Sequence, residues 1–579
     1  MAYRNDFEDT SLLFPPGVPR PPRRLINAPN HTYNVKDLNI GDLVRTLSIS
    51  GFYEARIEEI LTTPIMDADI LRYRHDIIDD LLRTPSLATQ LESILQVIIN
   101  LENYLVEPQW EESELRRVAW RLSELENYVD GVVKLNDLLT AVGDHLHSTG
   151  LRTLREKVNA IASHETFIRL RADLPEYSQK FRGIASITIG VNLDDELRPR
   201  EAMLLNVNTT RFRGQSMLNW FFWRKPPAND DAPAGPLHRA PPDEMVMRFG
   251  QESPQMQTLF QDLEAVMNDI AKPISKALEN YTTVNARMIV NLKVEIAFYL
   301  GAIKLIQHVR ASGMPICRPD IAPMDTRNCE LTDFYNIGLL LQQSTLNRPR
   351  DLSEMIITND LRFDEDGRIF ILTGPNRGGK TTYTVALGLV QVLFQAGLFV
   401  PAQSATMSPV DGIYTHFATV EDPRLEAGRL GEESIRLNKV FQYATRNSLI
   451  LLNETFSSTS SVESVILCKD VVRVLRLMGA RAIFATHLHE LAADVDTINR
   501  EIDGDSAVKS MVSQVDLEID DEGERHRRTY KIVAGPPVGS SYAREIAARY
   551  GISYHKLTTM LRDRDVLPNE SESSRVNGS

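Results

Sequence analysis

A glycine-rich segment in the second half of the chain carries residues whose types and spacing fit the binding of a phosphate chain. Gly374, Gly379, Lys380 and Thr381 occupy the four specified places of the pattern G-x-x-x-x-G-K-[ST]. Glycines let successive backbone N–H groups turn inward around an anion, where a Cβ atom would block the approach. The lysine suits the β- and γ-phosphates, and the threonine hydroxyl suits a magnesium ion. We therefore predict a nucleoside triphosphate site here.

The elements around this segment agree with that prediction. The apolar run Ile369–Thr373 precedes the glycines, and the helical pattern Tyr383–Phe394 follows them. A helix that begins at the loop adds partial positive charge beside the phosphates. The alternative, a glycine turn that binds no ligand, would not need a strand before it and a helix after it. The residues predicted to hold the nucleotide are Gly374, Pro375, Asn376, Arg377, Gly378, Gly379, Lys380, Thr381 and Thr382.

Two polar residues, Asn453 and Glu454, end a second apolar run that begins at Ser448. In phosphate sites of this kind, one acid at such a strand end supports Mg²⁺ and the next polarises the attacking water. Glu454 is therefore predicted to be catalytic, as a base or as the group that positions the water. Asn453 keeps an oxygen but lacks the charge, so with Thr381 it is predicted to contact the metal weakly. The alternative is a strand that simply ends in polar residues.

A third apolar run, Arg481–Thr486, leads directly into His487. Isolated histidines are often structural, and that alternative remains open here. A histidine that closes a third apolar strand in this order is suited to sensing the γ-phosphate. We predict that His487 is the second catalytic residue.

Composition limits the class of protein. The chain has 579 residues, of which 42% are hydrophobic and 25% charged, as in ordinary globular proteins of several domains. Its net charge of −14 excludes polyanion binding by bulk charge, so any nucleic-acid contact needs a local basic face. The three cysteines form no metal-ligand pattern. No apolar run reaches the roughly 18 residues of a membrane span, and no signal pattern opens the chain, so we predict a cytoplasmic protein.

The chain before the nucleotide segment is predicted to be mostly helical. A proline-rich leader, residues 1–34, should be extended or disordered. Residues 35–330 should form an α-helical core and lever domain, because apolar side chains recur there at spacings of three and four. The proline-free stretch Ser275–Ser312 predicts a lever helix about 57 Å long, at about 1.5 Å per residue.

Two segments interrupt this helical pattern. Ile184–Val191 and Ala202–Asn208 predict two strands in a small β insertion near residues 184–240. The aromatic and basic stretch Trp220–Lys225 suits base stacking, a protein contact or packing beneath a loop. Phe52 lies two residues before a glutamate among helices, and we predict that its ring packs on a helix.

The second half of the chain resembles the MutS family of DNA mismatch-repair ATPases. The residues that carry the resemblance are Thr373–Thr381, Phe399–Ala402, Leu452–Ser460, Phe484–Leu491 and Ser540–Ala547, with Asn359–Leu361 and Pro64–Ile78 before them. The similarity spans roughly residues 36 to 550. It implies an α/β P-loop ATPase domain of ABC type at residues 331–550, followed by a C-terminal helix and a disordered tail at 551–579.

The resemblance also implies a function. It indicates ATP and Mg²⁺ as cofactors and a homodimer whose ATPase domains enclose two nucleotides, with Ser457–Thr459 crossing the interface. ATP binding and slow hydrolysis would then control DNA association or clamp closure in repair or recombination. The acidic balance of the chain favours a different class, an ATP-gated protein-interaction switch that does not bind DNA.

Several positions depart from the family pattern. The N-terminal mismatch-recognition and connector domains are expected to be absent. Asn453 stands where the family has an aspartate, and Arg377 stands where it has an apolar residue. Glu421–Ser434 occupies the family's signature position without an obvious serine at the expected place, and Ile356 replaces an aromatic residue beside the base.

Overall fold

The computed structural model describes residues 10–19, 35–104, 114–183, 186–196, 199–211, 271–281, 286–344, 351–418, 428–520, 523–537, 552, 554–564 and 566. The chain divides into two compact units. The first comprises Met1–Leu12 and Thr84–Ile296, and the second comprises Leu13–Arg83 and Ala297–Ser579. Residues 35–83 and 297–330 thus group with the nucleotide segment, which differs from the predicted boundary at residue 330.

The described helices and strands alternate irregularly along the chain. The helices are α1 (Val35–Leu38), α2 (Gly41–Leu47), α3 (Glu54–Thr62), α4 (Ala68–Arg83), α5 (Pro85–Glu102), α6 (Glu114–Val142), α7 (Thr149–Ser163), α8 (Glu165–Arg182), α9 (Arg287–Ala311), α10 (Ile337–Gln343), α11 (Lys380–Gln395), α12 (Gly428–Tyr443), α13 (Ser461–Met478), α14 (His489–Ala493), α15 (Val495–Glu501) and α16 (Tyr554–Asp563). The strands are β1 (Ser186–Leu193), β2 (Pro199–Asn208), β3 (Asp320–Ile321), β4 (Cys329–Phe334), β5 (Asn359–Phe363), β6 (Ile369–Thr373), β7 (Ser404–Met407), β8 (Ile413–Phe417), β9 (Leu449–Asn453), β10 (Arg481–Ala485), β11 (Val508–Asp520) and β12 (Gly523–Ala534).

Helices α5 to α8 form the core of the first unit. Leu87, Leu91, Leu95 and Ile98 recur at helical spacing along α5 and are buried. The hydroxyl of Ser148 accepts a hydrogen bond from the backbone of α7 and caps its first turn. Strands β1 and β2 pair antiparallel, which confirms the two strands predicted from the alternating pattern.

The lever helix is shorter than its sequence pattern predicts. Helix α9 has 25 residues and residues 271–278 are also helical, whereas the prediction was one continuous helix over Ser275–Ser312. Glu279–Tyr281 form a 3-10 turn before it, and residues 282–285 lie outside the described ranges. The intervening sequence is rich in asparagine and threonine, which have low helix propensity. Absence of proline alone is therefore a weak reason to predict a continuous helix.

A six-stranded sheet organises the second unit. Its strand order is β12-β11-β6-β10-β9-β8, and only the β11–β12 pair is antiparallel. Every residue of β6, β9 and β10 is buried, as expected for parallel strands covered on both faces. The predicted strands at Ile369–Thr373, Ser448–Glu454 and Arg481–His487 are confirmed with ends within two residues. A smaller sheet has the order β3-β7-β4-β5.

Helix α11, which begins at the glycine-rich loop, is buried on nearly every side. Its two inward glutamines are satisfied by hydrogen bonds, as buried amides require. Gln395 Nε2 donates to the backbone oxygens of Val410 at 2.7 Å and Ile65 at 3.2 Å, and Gln391 Nε2 donates to Gln395 Oε1 at 3.1 Å. These contacts fix the helix that carries Lys380 and Thr381.

Part of the predicted disordered leader is packed into the fold. Leu12 and Leu13 are buried, and Arg74 Nε donates to the Leu13 carbonyl oxygen at 3.0 Å. The Arg74 guanidinium lies over the Phe14 ring, 5.2 Å from its centre. The proline-rich composition therefore gave the wrong expectation for residues 10–14, where apolar side chains find a surface to cover.

Phe52 also differs from its prediction. Its side chain is 76% exposed, so the ring does not pack on a helix. The neighbouring Tyr53 is buried and takes that place, with the two rings edge to face at 5.6 Å. Trp220–Lys225, Ser540–Ala547 and residues 567–579 lie outside the described ranges. Within those ranges, no helix is both long and apolar enough to cross a bilayer.

Candidate nucleotide site

Three parallel strands end at one edge of the large sheet and bring the predicted site residues together. In the strand register, Ala485 at the end of β10 lies beside Leu372 of β6 and Asn453 of β9. The residues that follow these strands therefore meet, because carboxyl ends of parallel strands share an edge. Gly374, Glu454 and His487, far apart in sequence, occupy this edge.

The glycine-rich loop lies directly against strand β11. A Cβ atom on Gly374, where φ is +143°, would lie 2.7 Å from the Ser513 Cβ. One on Gly378 would lie 2.7 Å from Ser513 Oγ and 2.9 Å from the Pro375 carbonyl oxygen. Ser513 Oγ donates a hydrogen bond to the Gly378 carbonyl oxygen at 2.6 Å. A side chain larger than that of glycine would therefore clash at both positions, and the Ser513 hydrogen bond fixes the loop against β11.

The loop ends in two left-handed backbone positions, Arg377 with φ +62° and Gly379 with φ +94°. When residues with left-handed backbone angles alternate with right-handed ones, the neighbouring N–H groups point toward the same side. They then form a concave surface that can bind an anion. Gly379 is the N-cap of α11, and Asn376 and Arg377 are exposed. The backbone of the loop thus suits an anion, and the phosphate site itself stays a prediction.

Lys380 is buried at the floor of the loop. Its Nζ donates to the carbonyl oxygens of Gly374 at 3.0 Å and Pro375 at 3.3 Å, and lies 3.7 Å from Glu454 Oε1. Burial lowers the pKa of the amine, and the Glu454 charge opposes that shift. Thr382 is held beside it, because Asn336 Nδ2 donates to the Thr382 carbonyl oxygen at 3.1 Å.

Thr381 and Asn453, the two residues predicted to contact a metal, are hydrogen-bonded to each other. Thr381 Oγ1 donates to Asn453 Oδ1 at 3.1 Å. Magnesium favours carboxylates and phosphate oxygens, so these two neutral oxygens suit an ion already carried by phosphates rather than one held by protein alone. In the described part of the chain, no three His, Cys, Asp or Glu side chains are grouped to hold a metal.

Glu454 and His487, which follow strands β9 and β10, form a hydrogen-bonded pair. Glu454 Oε2 lies 2.6 Å from His487 Nδ1. Burial raises the pKa of the Glu454 carboxyl, but the His487 hydrogen bond and the Lys380 charge outweigh it, and the pKa falls below its ordinary value. The bond to Glu454 raises the pKa of His487, against partial desolvation. Glu454 itself has φ +54°, a strained position for a non-glycine residue.

A pocket of about 640 Å³ opens beside the loop, within the usual range for small-molecule sites. Its lining residues are Phe334, Tyr335, Asn336, Leu339, Met355, Ile357, Asn359, Asn376, Arg377, Gly378, Gly379, Lys380, Thr381, Thr382, Tyr383, Ala386, Glu454 and Tyr530. The lining combines polar residues of the loop with apolar and aromatic side chains, a composition that suits a phosphate chain joined to a flat base. Ile356 is buried and does not line the pocket, whereas its neighbours do.

Tyr530 is a pocket residue that the sequence did not predict. It has φ +58° and is 45% exposed. Its ring Cδ1 lies 3.4 Å from the place a Cβ on Gly379 would take. Asn359 fixes this part of β12, since its Oδ1 accepts from the Ile532 N–H at 2.7 Å. No local pattern around Tyr530 indicates that it faces the loop.

His416 is a second residue that sequence reasoning missed. It is fully buried, with Nε2 donating to the Glu433 carbonyl oxygen and Nδ1 accepting from Thr455 Oγ1, both at 3.1 Å. Burial lowers the pKa of His416 to about 4, so the ring is neutral at physiological pH. It fixes the backbone immediately after Glu454.

The segments predicted to reach a partner are only partly described. Ser457–Thr459 lie between β9 and α13, and Thr459 Oγ1 donates to Glu463 Oε2 at 2.6 Å. Of Glu421–Ser434, the part before Gly428 lies outside the described ranges, and the remainder begins α12. Their role at an interface stays a prediction.

Comparison with known proteins gives matches along most of the chain. The family model for MutS domain V matches residues 370–558, and the model for the MutS2 N-terminal domain matches residues 66–312. The DNA mismatch repair protein MutS of Lactobacillus johnsonii is 33% identical over 210 residues, which cover 36% of this chain and 23% of that protein.

Two further relatives match more of the chain at lower identity. The DNA mismatch repair protein MutS of Aquifex pyrophilus is 23% identical over 87% of this chain and 57% of its own length. That of Christiangramia forsetii is 22% identical over 79% of this chain and 52% of its own length. The chain therefore spans little more than half the length of these relatives.

Proposed function

This chain belongs to the MutS family, and we propose that it is an ATPase whose nucleotide state controls its association with DNA. The observation that carries the proposal is the meeting of three sequence-distant groups at one sheet edge. These are the glycine-rich loop with Lys380, the Thr381–Asn453 pair, and the Glu454–His487 pair. A triphosphate in the pocket would contact all three.

Each group has a separate task in this proposal. The loop amides and the Lys380 amine hold the phosphates, and the buried surroundings strengthen their charge interactions. In hydrolysis, magnesium brought with ATP would neutralise the charge that develops on the phosphates, with Thr381 and Asn453 as its protein contacts.

Hydrolysis would depend on Glu454 and His487. The lowered pKa of Glu454 keeps it ionised at neutral pH, so it can accept a hydrogen bond from the attacking water and orient it. His487 donates to Glu454 through Nδ1, which leaves Nε2 free to contact the γ-phosphate. Loss of that phosphate would change the partners of both residues.

A homodimer through the second unit completes the proposal. Two large apolar residues near the start of α13, Val462 and Ile466, are 73% and 57% exposed. They follow the Ser457–Thr459 segment, which the family resemblance assigns to the interface. Exposed apolar side chains beside a nucleotide site suit contact with a second copy of the chain. ATP binding would then favour one arrangement of the two copies over another.

Substitution of Lys380 tests the nucleotide site. Lys380→Ala should abolish ATP turnover and weaken nucleotide binding, because the one buried amine on the loop is lost. Lys439→Ala, at an exposed position of α12, is the matched control and should behave as wild type. Titration calorimetry and phosphate release measure the two effects. Normal turnover by Lys380→Ala would contradict the assignment of this site.

DNA association needs its own measurement, because the net charge of −14 favours the alternative of a protein-interaction switch. Binding to plain, mismatched and branched duplexes should be measured across a salt series, with and without nucleotide. Phosphate contacts produce an affinity that falls steeply with salt. Absence of binding at low salt in both nucleotide states would leave the ATP-gated switch.

A further inference from the structure

The formal charges around the pocket are few, and most of them are already paired. Among the described lining residues the charged ones are Arg377, Lys380 and Glu454. Glu454 is engaged by His487 at 2.6 Å and faces Lys380 at 3.7 Å. Arg377 makes no ion pair within the described part of the chain. It is therefore the cation at this site that remains available to a ligand.

The position that would support a divalent cation carries no charge. Asn453 closes β9 beside Thr381, and the two neutral side chains are hydrogen-bonded to each other at 3.1 Å. A magnesium ion sheds its water reluctantly and gains most from carboxylate ligands. The neutral amide of Asn453 and hydroxyl of Thr381 attract a magnesium ion less strongly than a carboxylate does. Glu454 supplies the one carboxylate among the described lining residues, and it already contacts His487 and Lys380.

Arg377 is well placed to contact phosphate oxygens. It lies on the loop between exposed Asn376 and buried Gly378, is itself exposed, and lines the pocket. A guanidinium can donate two parallel hydrogen bonds to a phosphate, which an ammonium cannot do in the same geometry. A phosphate chain in this pocket could therefore be contacted by both the Lys380 amine and the Arg377 guanidinium.

We propose that this site binds a nucleoside triphosphate without requiring a divalent cation. The neutral Asn453 side chain does not attract a metal ion strongly, and the positive charge that a metal would bring to the phosphates comes instead from Arg377. The inference rests on the proposed nucleotide site and concerns binding alone. Two fixed cations and the loop amides then balance the phosphates. Nucleotide affinity should accordingly change little when magnesium is removed.

Calorimetric titration of the full chain with a β,γ-imido analogue of ATP, in excess magnesium and in excess EDTA, tests the inference. Wild-type affinity should agree within about threefold between the two conditions. Arg377→Met should lower affinity in EDTA by about tenfold, the effect of losing a charge-assisted hydrogen bond, and by less in magnesium. Arg377→Lys keeps the charge and should retain most of the EDTA affinity.

Asn453→Asp provides the opposite change. A carboxylate there should weaken binding in EDTA by repelling the phosphates, and magnesium should restore it, so that affinity becomes metal-dependent. Thermal unfolding of each variant checks that the fold is kept.

The outcomes separate this inference from the proposed function. Wild-type affinity that falls more than about tenfold in EDTA would overturn metal-independent binding and leave the nucleotide site intact. Equal affinities for wild type and Arg377→Met in EDTA would show that Arg377 does not contact the phosphates and would also overturn the inference. Absence of binding by wild type in both conditions would instead refute the nucleotide site itself.

Discussion

Glu454 and His487 are joined by a hydrogen bond of 2.6 Å although they follow different strands of the sheet. The bond exists because β9 and β10 are neighbours in register, so that the residues after their ends meet. The Lys380 amine lies 3.7 Å from the other oxygen of the same carboxylate. Glu454 thus contacts both a titratable imidazole and a buried amine.

Replacing the base should separate binding from chemistry. Glu454→Gln keeps the size of the side chain but cannot accept the proton, so ATP turnover should fall by about 10²–10⁴-fold. Nucleotide affinity should remain within a few-fold of wild type, because the phosphate ligands are untouched. Single-turnover phosphate release and calorimetry measure the two quantities.

Glu330→Gln on the exposed side of β4 is the control for this variant and should leave both quantities unchanged. If Glu454→Gln loses binding in proportion to turnover, the carboxylate holds nucleotide rather than acting in hydrolysis.

The pH dependence of turnover should reflect the same pair. The pKa of Glu454 is lowered from 4.5, so the acid fall in kcat/KM, which reports the free enzyme, should occur below that value. The pKa of His487 is raised from 6.5, and loss of its proton should reduce kcat/KM on the alkaline side, with a midpoint above 6.5. His487→Gln, which cannot titrate, should remove the alkaline limb. An alkaline limb that persists in this variant would exclude His487 as the titrating group.

The sequence predicted the parts of the site that are local. Gly374 to Thr381 carry their own spacing, and the apolar runs before Asn453 and His487 identified strands that are buried at every residue. Parallel strands are recognisable in this way because both faces are covered.

The parts that depend on tertiary contacts were not predictable. Ser513 and Tyr530 lie on β11 and β12, and nothing in the alternation of those strands indicates which residues face the loop. Leu13 and Phe14 were predicted to be extended or disordered because the surrounding sequence is rich in proline. That composition does not show that Arg74 contacts both residues in the folded chain. The length of helix α9 was overestimated, because the absence of proline from a stretch of sequence does not ensure that it forms one continuous helix.

Two serines on β11 allow the support of the loop to be tested. Ser513 Oγ donates to the Gly378 carbonyl oxygen at 2.6 Å, whereas Ser510 Oγ is buried without a hydrogen-bond partner among the described residues. Ser513→Ala should lower the free energy of unfolding by about 1–3 kcal/mol and weaken nucleotide binding, since the carbonyl loses its donor.

Ser510→Ala is the matched control and should be neutral or stabilising, because it removes a polar atom that makes no bond. Urea unfolding and calorimetry compare the pair. Equal effects of the two substitutions on nucleotide affinity would mean that the Ser513 bond does not shape the loop.

His416 should make stability depend on pH. Burial lowers its pKa from 6.5 to about 4, so between these values the unfolded chain binds a proton that the folded chain does not. The stabilisation is therefore complete above about 6.5 and is lost as the pH falls toward 4, by up to about 3 kcal/mol for a shift of about 2.5 units. His75, whose pKa burial lowers to about 3, adds a second loss in the same direction.

His416→Gln should lower stability at neutral pH, because the contacts to Thr455 and Glu433 are disturbed, yet flatten the slope of unfolding free energy between pH 6.5 and 4. His555→Gln, on the exposed helix α16, should leave the slope unchanged. Urea titrations at stepped pH give the slopes directly. A slope as steep in His416→Gln as in wild type would mean that this histidine does not remain neutral in the folded protein, and the positioning of the backbone after Glu454 would then need another explanation.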